Sequence, residues 1–254
     1  VIGDTHDSPD IPDKSRFGWF AKHIRKSKPD IVVQIGDFVT LDSCTHYIRD
    51  DSYTAKIEKP IFMKDMESMD SAMEEFNYHL KDFKIKKYLT LGNHEKRMFR
   101  KEDSNPTFYG MCQKEFFGNC KKYDWQVIPY GKYLMLGGVG FIHAPINPMG
   151  KEYGGEASER QVANKSKIDI VFGHSHRAQD NRVAKISPIP NDFTRIINVG
   201  CAMPHNHIES YAKHSLTGWT YQVCELKIWD NHIQEVNNIS METLEREYGG
   251  KKSK

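Results

Sequence analysis

Ile31-Val32-Val33-Gln34-Ile35-Gly36-Asp37 is a run of mostly β-branched apolar residues that stops at a glycine and then a carboxylate. Its composition predicts a buried strand whose end carries Asp37 into a tight turn. In open α/β sheets, ligands are held at the carboxyl ends of the strands. We therefore take Asp37 as the centre of a candidate functional site.

Four other segments end in the same way, with an apolar run followed by polar residues. They are Val1–His6, Tyr88–Glu95, Gly140–His143 and Ile168–His176. The oxygen and imidazole donors at these five strand ends are Asp4, His6, Asp37, Asn93, His143, His174 and His176. Such donors are ligands for Mn, Fe or Zn rather than for copper or an iron–sulfur cluster. Seven of them predict two metal ions that share one carboxylate, an arrangement suited to phosphoryl transfer.

Helical patterns separate these strands. Phe17, Phe20 and Ile24 recur at helical spacing, and Pro29 ends that helix before the strand at 31. The order strand, helix, strand requires parallel pairing. A longer stripe predicts a second helix beyond Pro60, and its members are Phe62, Met66, Met69, Met73, Phe76 and Leu80. A Met-rich partner-binding groove or a coiled-coil seam is the less favoured interpretation of this stripe.

The length of the chain predicts one domain over residues 1–240, and residues 241–254 after it are predicted to be a disordered tail. Residues 41–59 form a polar loop that we expect to line the site, and residues 105–123 a helix and loop that cover it. A helix is compatible with residues 154–167. The later predicted strands are Trp125–Ile128, Tyr133–Leu136, Ile168–Phe172, Val183–Ile186, Ile196–Val199, Tyr221–Ile228 and Ile233–Val236.

Composition narrows the class of protein. The 254 residues carry a net charge of +2, which gives no strong field for coating nucleic acid or a membrane surface. The five cysteines form no Cys-x-x-Cys pair, which argues against a disulfide framework or a thiolate zinc site and favours a reducing, cytoplasmic setting. No apolar run reaches membrane-spanning length, and no basic-then-apolar leader is seen. Since Val1 already lies within a predicted strand, an upstream segment is compatible with the sequence.

Five motifs follow one another along the chain: Gly3-Asp4-Thr5-His6, Gly36-Asp37, Gly92-Asn93-His94-Glu95, the isolated His143, and Gly173-His174-Ser175-His176. In this order they resemble the five motifs of the calcineurin-like metallophosphoesterase superfamily. The resemblance implies an α/β fold, a four-layer α/β/β/α sandwich of two mixed sheets. It also implies a metal-dependent phosphoesterase, which is a hydrolase acting on ester bonds.

The resemblance also implies a role for each matching residue. One metal would be held by Asp4, His6, Asp37 and His176, and the second by Asp37, Asn93, His143 and His174. The two divalent ions are expected to be Mn²⁺, with Fe, Zn or Ni as alternatives, and a hydroxide bridging them would attack phosphorus. His94 would protonate the leaving oxygen or stabilise its charge, and Glu95 or another acidic neighbour would orient His94.

Arg97 bears on the substrate. The stretch Gly92–Arg97 has the form found in Ser/Thr protein phosphatases of the superfamily, where this arginine grips phosphate, so Arg97 joins His94 and Asp37 as a predicted catalytic residue. That branch also places an acidic residue and an arginine soon after the second motif, whereas Asp37 is followed by Phe38-Val39-Thr40-Leu41. We therefore favour a phosphodiesterase acting on nucleic acid, as a nuclease, or on a small or cyclic nucleotide.

Other interpretations remain beside this one. The enzyme could be a phosphomonoesterase, such as a nucleotide or protein phosphatase, and a chain that keeps the fold could be a non-catalytic binding module. His205 and His207 could reach the rim of the site, although a solvated loop is favoured for them. The basic residues at 84–87 and 96–101 predict a solvated face, with a groove for a phosphate backbone as the minority view.

Overall fold

Two β-sheets lie at the centre of the computed structural model, which describes residues 1–45, 60–155, 157–190, 192–209, 212 and 217–250. In the first sheet, β1 (Ile31–Gln34), β2 (Lys86–Thr90) and β3 (Trp125–Ile128) pair in parallel in that order. Ile2 pairs in parallel with Gln34, which confirms the predicted strand-helix-strand unit.

The second sheet is mixed. Its strands are β4 (Leu134–Leu136), β5 (Val139–Phe141), β6 (Ile170–Phe172), β7 (Ala178–Ala184) and β8 (Phe193–Val199), in the order β4-β5-β6-β8-β7. β5, β6 and β8 run parallel, and β4 and β7 are antiparallel edges. A hairpin of β9 (Gln222–Trp229) and β10 (His232–Ser240) is joined to the first sheet by the pairing of Ile2 with Val223.

In the described ranges, six α-helices flank the sheets. They are α1 (Ser15–Ser27), α2 (Phe62–Leu80), α3 (Lys96–Ser104), α4 (Met111–Lys122), α5 (Ser158–Lys165) and α6 (Met241–Tyr248). The apolar stripe of α2 is buried, as predicted for a helix packed in the core. We assign that stripe to packing against α1 and α4.

Among the residues that the structure describes, three hydrophobic clusters define four layers. One buries α1, α2, α4 and α6 with β1–β3, through side chains such as Phe20, Met69 and Phe116. A second lies between the sheets and joins Ile35 to Phe141 and Ile197. The third packs α5 on the other sheet through Val162 and Ile196. The structure therefore confirms the predicted four-layer α/β/β/α sandwich.

Three sequence predictions differ from the structure. Residues 241–248 are helix α6, not a disordered tail, because Leu244 is fully buried against the core that contains α1; residues 251–254 lie outside the described part. α4 does not cover the site, since Phe116 and Cys120 pack into the core beside α2 and β3. The strand predicted at Val183–Ile186 lies instead at Ala178–Ala184, where its pairing with β8 fixes its position. As an edge strand it is mostly polar, so its bounds have little apolar signal in the sequence.

Other predictions concern the surroundings of the core. The loop predicted at 41–59 contains a short 3₁₀ turn at Asp42–Cys44, and residues 46–59 lie outside the described part. Of the described helices, none is long and apolar enough to cross a membrane. The five cysteines, Cys44, Cys112, Cys120, Cys201 and Cys224, are all buried and free.

Candidate metal centre

The carboxyl ends of strands from both sheets meet at one site. Asp4 pairs with Cys201 after β8, Asp37 follows β1, and Asn93 follows β2. His143 follows β5, and His174 and His176 follow β6, so all seven predicted ligands arrive from strand ends. Two compact groups result, one of Asp4, His6 and His176 and one of Asp37, His143 and His174, with donor atoms inside each group lying within 4.8 Å of one another.

The first group is held at hydrogen-bonding distances. Nε2 of His6 lies 3.0 Å from Nε2 of His176, which in turn lies 3.1 Å from Oδ2 of Asp4. Asp37 Oδ2 lies 3.8 Å from Nε2 of His6, which brings the central carboxylate to the edge of this group. All four side chains are buried.

The second group is centred on the amide of Asn93. Its Oδ1 lies 2.9 Å from Nε2 of His143 and 2.9 Å from Nδ1 of His174. Asp37 Oδ2 lies 3.3 Å from the same Nε2 of His143. Asp37 therefore faces both groups, which is the position that the sequence predicted for a shared ligand.

The backbone is strained where the ligands attach. His6, Asp37, His174 and His176 have positive φ angles of 43°, 48°, 71° and 58°. This left-handed region is uncommon for residues with a Cβ, and such outliers cluster at functional sites, where the surrounding structure holds them. Four of the seven candidate ligands thus have a backbone conformation that is uncommon for residues with a Cβ.

Two motif glycines allow the carboxylates to approach the neighbouring loops. A Cβ on Gly92 would overlap Oδ1 of Asp37, and a Cβ on Gly173 would overlap Oδ1 of Asp4. Backbone N–H groups then hold both aspartates: His94 N donates to Asp37 Oδ1 at 2.9 Å, and His174 N donates to Asp4 Oδ2 at 2.9 Å. The glycines in these motifs are therefore required by contact with the ligands.

Charge is concentrated at Asp37 and His143. Burial by itself raises the pKa of Asp37, but the adjacent imidazoles, His143 first, outweigh burial and hold that pKa well below its usual range. Burial lowers the pKa of His143, whereas the carboxylates of Asp37 and Asp4 raise it to about 10. Nδ1 of His143 donates to the carbonyl of Ile35 at 3.1 Å. When the ring is protonated, Nε2 also carries a proton, and this proton faces Asp37.

His94 is buried in the site, as predicted, but its orientation is set by the backbone. Its Nδ1 donates to the carbonyl of Thr40 at 2.8 Å, and its Nε2 lies 4.0 Å from Oδ2 of Asp37. Nη2 of Arg97 donates to the same Nε2 at 3.1 Å, and Nη1 donates to Thr40 at 2.8 Å. Burial lowers the pKa of His94, Asp37 opposes this and Arg97 adds to it, so the neutral ring is favoured.

Glu95 has a different role from the one considered for it. Its buried carboxylate accepts hydrogen bonds from the backbone N–H groups of Gly92 at 2.7 Å, Asp37 at 3.0 Å and Val39 at 3.2 Å. Burial and the nearby charge of Asp37 raise its pKa to about 7. Glu95 thus joins the loop after β1 to the loop after β2, and the suggestion that it orients His94 is wrong.

Several residues at the site were missed or undervalued from the sequence. Asn198 donates to Ser175 at 2.7 Å and to the buried Glu159 at 2.8 Å, so it supports the loop between His174 and His176. The ring of Trp219 contacts that of His176, with centroids 4.5 Å apart. His205 is exposed, as expected for a solvated loop, whereas His207 is partly buried and lies 3.3 Å from Glu209. The pair of histidines at 205 and 207 was a signal in the sequence, whereas Trp219 was not.

The donor set fits a pair of divalent cations. Buried charges are stable when they are paired or when they coordinate a metal, and here two aspartates and four imidazoles are packed with several of their donor atoms in direct contact. Oδ1 of Asp4 is buried and has no hydrogen-bond partner among the described residues. Oxygen and imidazole donors in this number suit Mn, Fe or Zn, so the residues present fit the group that the resemblance implies.

Comparison with known proteins places the chain in a family. Solved structures similar to this chain include a single mutant of Vps29 from Entamoeba histolytica, with 12% identity, 83% of this chain and 99% of that chain covered, and a TM-score of 0.32. TT1561 of Thermus thermophilus is 7% identical to this chain, with a TM-score of 0.34. The match covers 93% of this chain and 97% of that chain. No curated protein gives a significant match. The family model described as calcineurin-like phosphoesterase matches residues 1–178, which contain all five motifs, and the chain therefore belongs to that family.

Proposed function

We propose that this protein is a phosphodiesterase that uses two divalent cations, Mn²⁺ by preference, to hydrolyse a nucleic acid or a small or cyclic nucleotide. The observation that carries the proposal is the position of Asp37, which belongs to the second group of donors and lies 3.8 Å from His6 of the first. Asp4, His6, Asp37 and His176 would hold one cation, and Asp37, Asn93, His143 and His174 the other. Such a pair supplies Lewis-acid chemistry, because it neutralises phosphate charge and makes water nucleophilic near neutral pH.

The protein's own residues orient the ester and handle its proton. Thr40 fixes the His94 ring by accepting from Nδ1, which leaves Nε2 facing Asp37 and the cation site. A phosphate anion beside Nε2 favours the protonated ring, since a nearby negative charge raises the pKa of an imidazole. His94 is then a proton donor to the leaving oxygen. Protonation of Nε2 ends the hydrogen bond that Arg97 donates to it, so the guanidinium at the same edge then contacts the phosphate.

The charge around the site supports a diester over a monoester. A phosphomonoester carries close to two negative charges, whereas a diester carries one. Arg97 divides its donors between Thr40 and His94 and lies 3.5 Å from Asp42, so part of its charge is already compensated. Phe38, Val39 and Leu41, which follow Asp37, are buried apolar side chains and give no cation to a phosphate group. The Trp219 indole beside His176 offers an aromatic surface for a nucleobase.

The test compares two esters with the same leaving group. With Mn²⁺ added, we expect turnover of bis(4-nitrophenyl) phosphate to exceed turnover of 4-nitrophenyl phosphate, and the Asp37→Asn variant to lose both activities. A panel of single-stranded DNA, RNA, cyclic dinucleotides and mononucleotides then identifies the class of substrate. Faster cleavage of the monoester would show a phosphomonoesterase. Two bound cations without turnover of any substrate would indicate a binding module.

A further inference from the structure

Three imidazoles at the site differ in the hydrogen-bond partner of their Nδ1 atom. Nδ1 of His143 donates to the carbonyl of Ile35 at 3.1 Å, and Nδ1 of His94 donates to the carbonyl of Thr40 at 2.8 Å. Nδ1 of His6 is fully buried and has no hydrogen-bond partner among the described residues. The backbone therefore orients two of these rings but leaves the third without a partner.

The other nitrogen of His6 faces the cation site. Its Nε2 lies 3.0 Å from Nε2 of His176 and 3.8 Å from Oδ2 of Asp37. If Nε2 is the ligand atom, the ring proton must be on Nδ1, because a neutral imidazole carries only one N–H. Histidines that bind metals almost always donate this second N–H to a carboxylate, a carbonyl or water.

A buried carboxylate lies on the Nδ1 side of the ring. Oε1 of Glu209 is 3.9 Å from Nδ1 of His6, and it is the one carboxylate oxygen within 4.0 Å of that atom in the described ranges. This separation is longer than a hydrogen bond, so in this structure Glu209 faces Nδ1 without a hydrogen bond to it. Glu209 is 7% exposed, and the same oxygen lies 3.3 Å from Nε2 of His207.

The loop that carries Glu209 is anchored to the site. Ala202 N donates to the carbonyl of Asp4 at 2.9 Å at the start of the loop. Further along, the hydroxyl of Tyr221 donates to the carbonyl of His207 at 2.5 Å, and His207 N donates to the carbonyl of Pro204 at 2.9 Å. These contacts fix the backbone that leads to Glu209, and its carboxylate lies between the rings of His207 and His6.

We propose that Glu209 is a positioning residue for His6: its carboxylate, on the Nδ1 side of the ring, favours the tautomer that keeps its proton on Nδ1 and has a free Nε2, and thereby strengthens cation binding at the group formed by Asp4, His6 and His176. His207 holds Glu209 from its other side. This inference rests on the proposed function only in requiring that the protein bind cations. Glu209 itself contacts neither substrate nor cation.

The test measures cation affinity and the His6 tautomer separately. In Mn²⁺ titrations followed by calorimetry, we expect Glu209→Ala to weaken one of two sites by about 10–100-fold, the range for removing such a supporting carboxylate. Glu209→Gln keeps an acceptor oxygen and should restore part of the affinity. In ¹⁵N spectra of the metal-free protein, Glu209→Ala should shift the His6 signals from the Nδ1–H toward the Nε2–H tautomer.

The matched control is a glutamate–histidine pair far from the site. Oε1 of Glu225 lies 2.9 Å from Nε2 of His23 on α1, and Glu225→Ala should leave both cation affinities and the His6 tautomer unchanged. The proposal is overturned if Glu209→Ala, folded as judged by circular dichroism, binds two cations as tightly as the parent and keeps the parent tautomer. Failure of the parent protein to bind any divalent cation would instead overturn the proposed function.

Discussion

Oδ2 of Asp37 lies 3.3 Å from Nε2 of His143, and the two side chains belong to strand ends of different sheets. Asp37 follows β1 of the first sheet, and His143 follows β5 of the second. The contact therefore depends on how the sheets pack through the cluster that joins Ile35 to Phe141. Any change that separates the sheets at this end should release the cations before it unfolds the rest of the domain.

Replacement of Asp37 tests the shared ligand. Asp37→Asn keeps the shape of the side chain but removes the charge that faces both groups, so we expect fewer than two cations per chain and a loss of activity of more than about 10²-fold. His174→Ala should remove one cation only. Metal content by mass spectrometry and turnover are measured together, with Asp70→Asn on α2 as the control. Retention of two cations by Asp37→Asn would show that it bridges nothing.

Cation binding should depend on pH through His143. Its pKa is raised to about 10 by Asp37 and Asp4 against the effect of burial, so the ring is protonated in the metal-free protein at neutral pH. A ligand nitrogen must lose this proton, and affinity should therefore rise with pH from about 6 to about 9, by at most about tenfold per unit for one proton. Calorimetry in two buffers of different ionisation enthalpy should detect release of the proton; identical heats in both buffers would contradict the assignment.

Removal of His94 separates chemistry from cation binding. We expect His94→Ala to keep two cations and to lose activity by roughly 10²–10⁴-fold, the range for general acid–base groups. The competing assignment is a metal ligand, since His6, Asp37 and His94 also form a compact donor group. A fall in metal content together with activity would favour that role. His79→Ala, on α2 beside Glu75, is the control.

Asp65 should affect stability rather than activity. Burial raises its pKa to about 6, although hydrogen bonds from Ser43 oppose this. Because the folded pKa is above the unfolded value, the charged form costs stability above pH 6, and this cost disappears as the pH falls toward about 4. Asp65→Asn removes this cost. The change in the free energy of unfolding that it causes, relative to the parent, should therefore be about 2 kcal/mol more stabilising at pH 7 than at pH 4.

Denaturant unfolding in the presence of a chelator measures this difference without contributions from bound cations. The exposed Asp103 on α3 provides the control, and Asp103→Asn should show no comparable change between the two pH values. An equal effect of Asp65→Asn at both pH values would mean that folding leaves the pKa of this carboxyl group unchanged.

The sequence alone determined the family, the strand ends and the seven candidate ligands, because each ligand directly follows an apolar run and those patterns are local. It also determined α1 and α2, whose buried stripes have helical spacing. Tertiary structure decided features that depend on distant partners: the hydrogen bonds of Glu95 to two loops, the position of Glu209 beside His6, the register of β7 against β8, and the packing of α6 on the core. A carboxylate that is buried in the fold cannot be distinguished from an exposed one in the sequence, because the residues that contact it are distant along the chain.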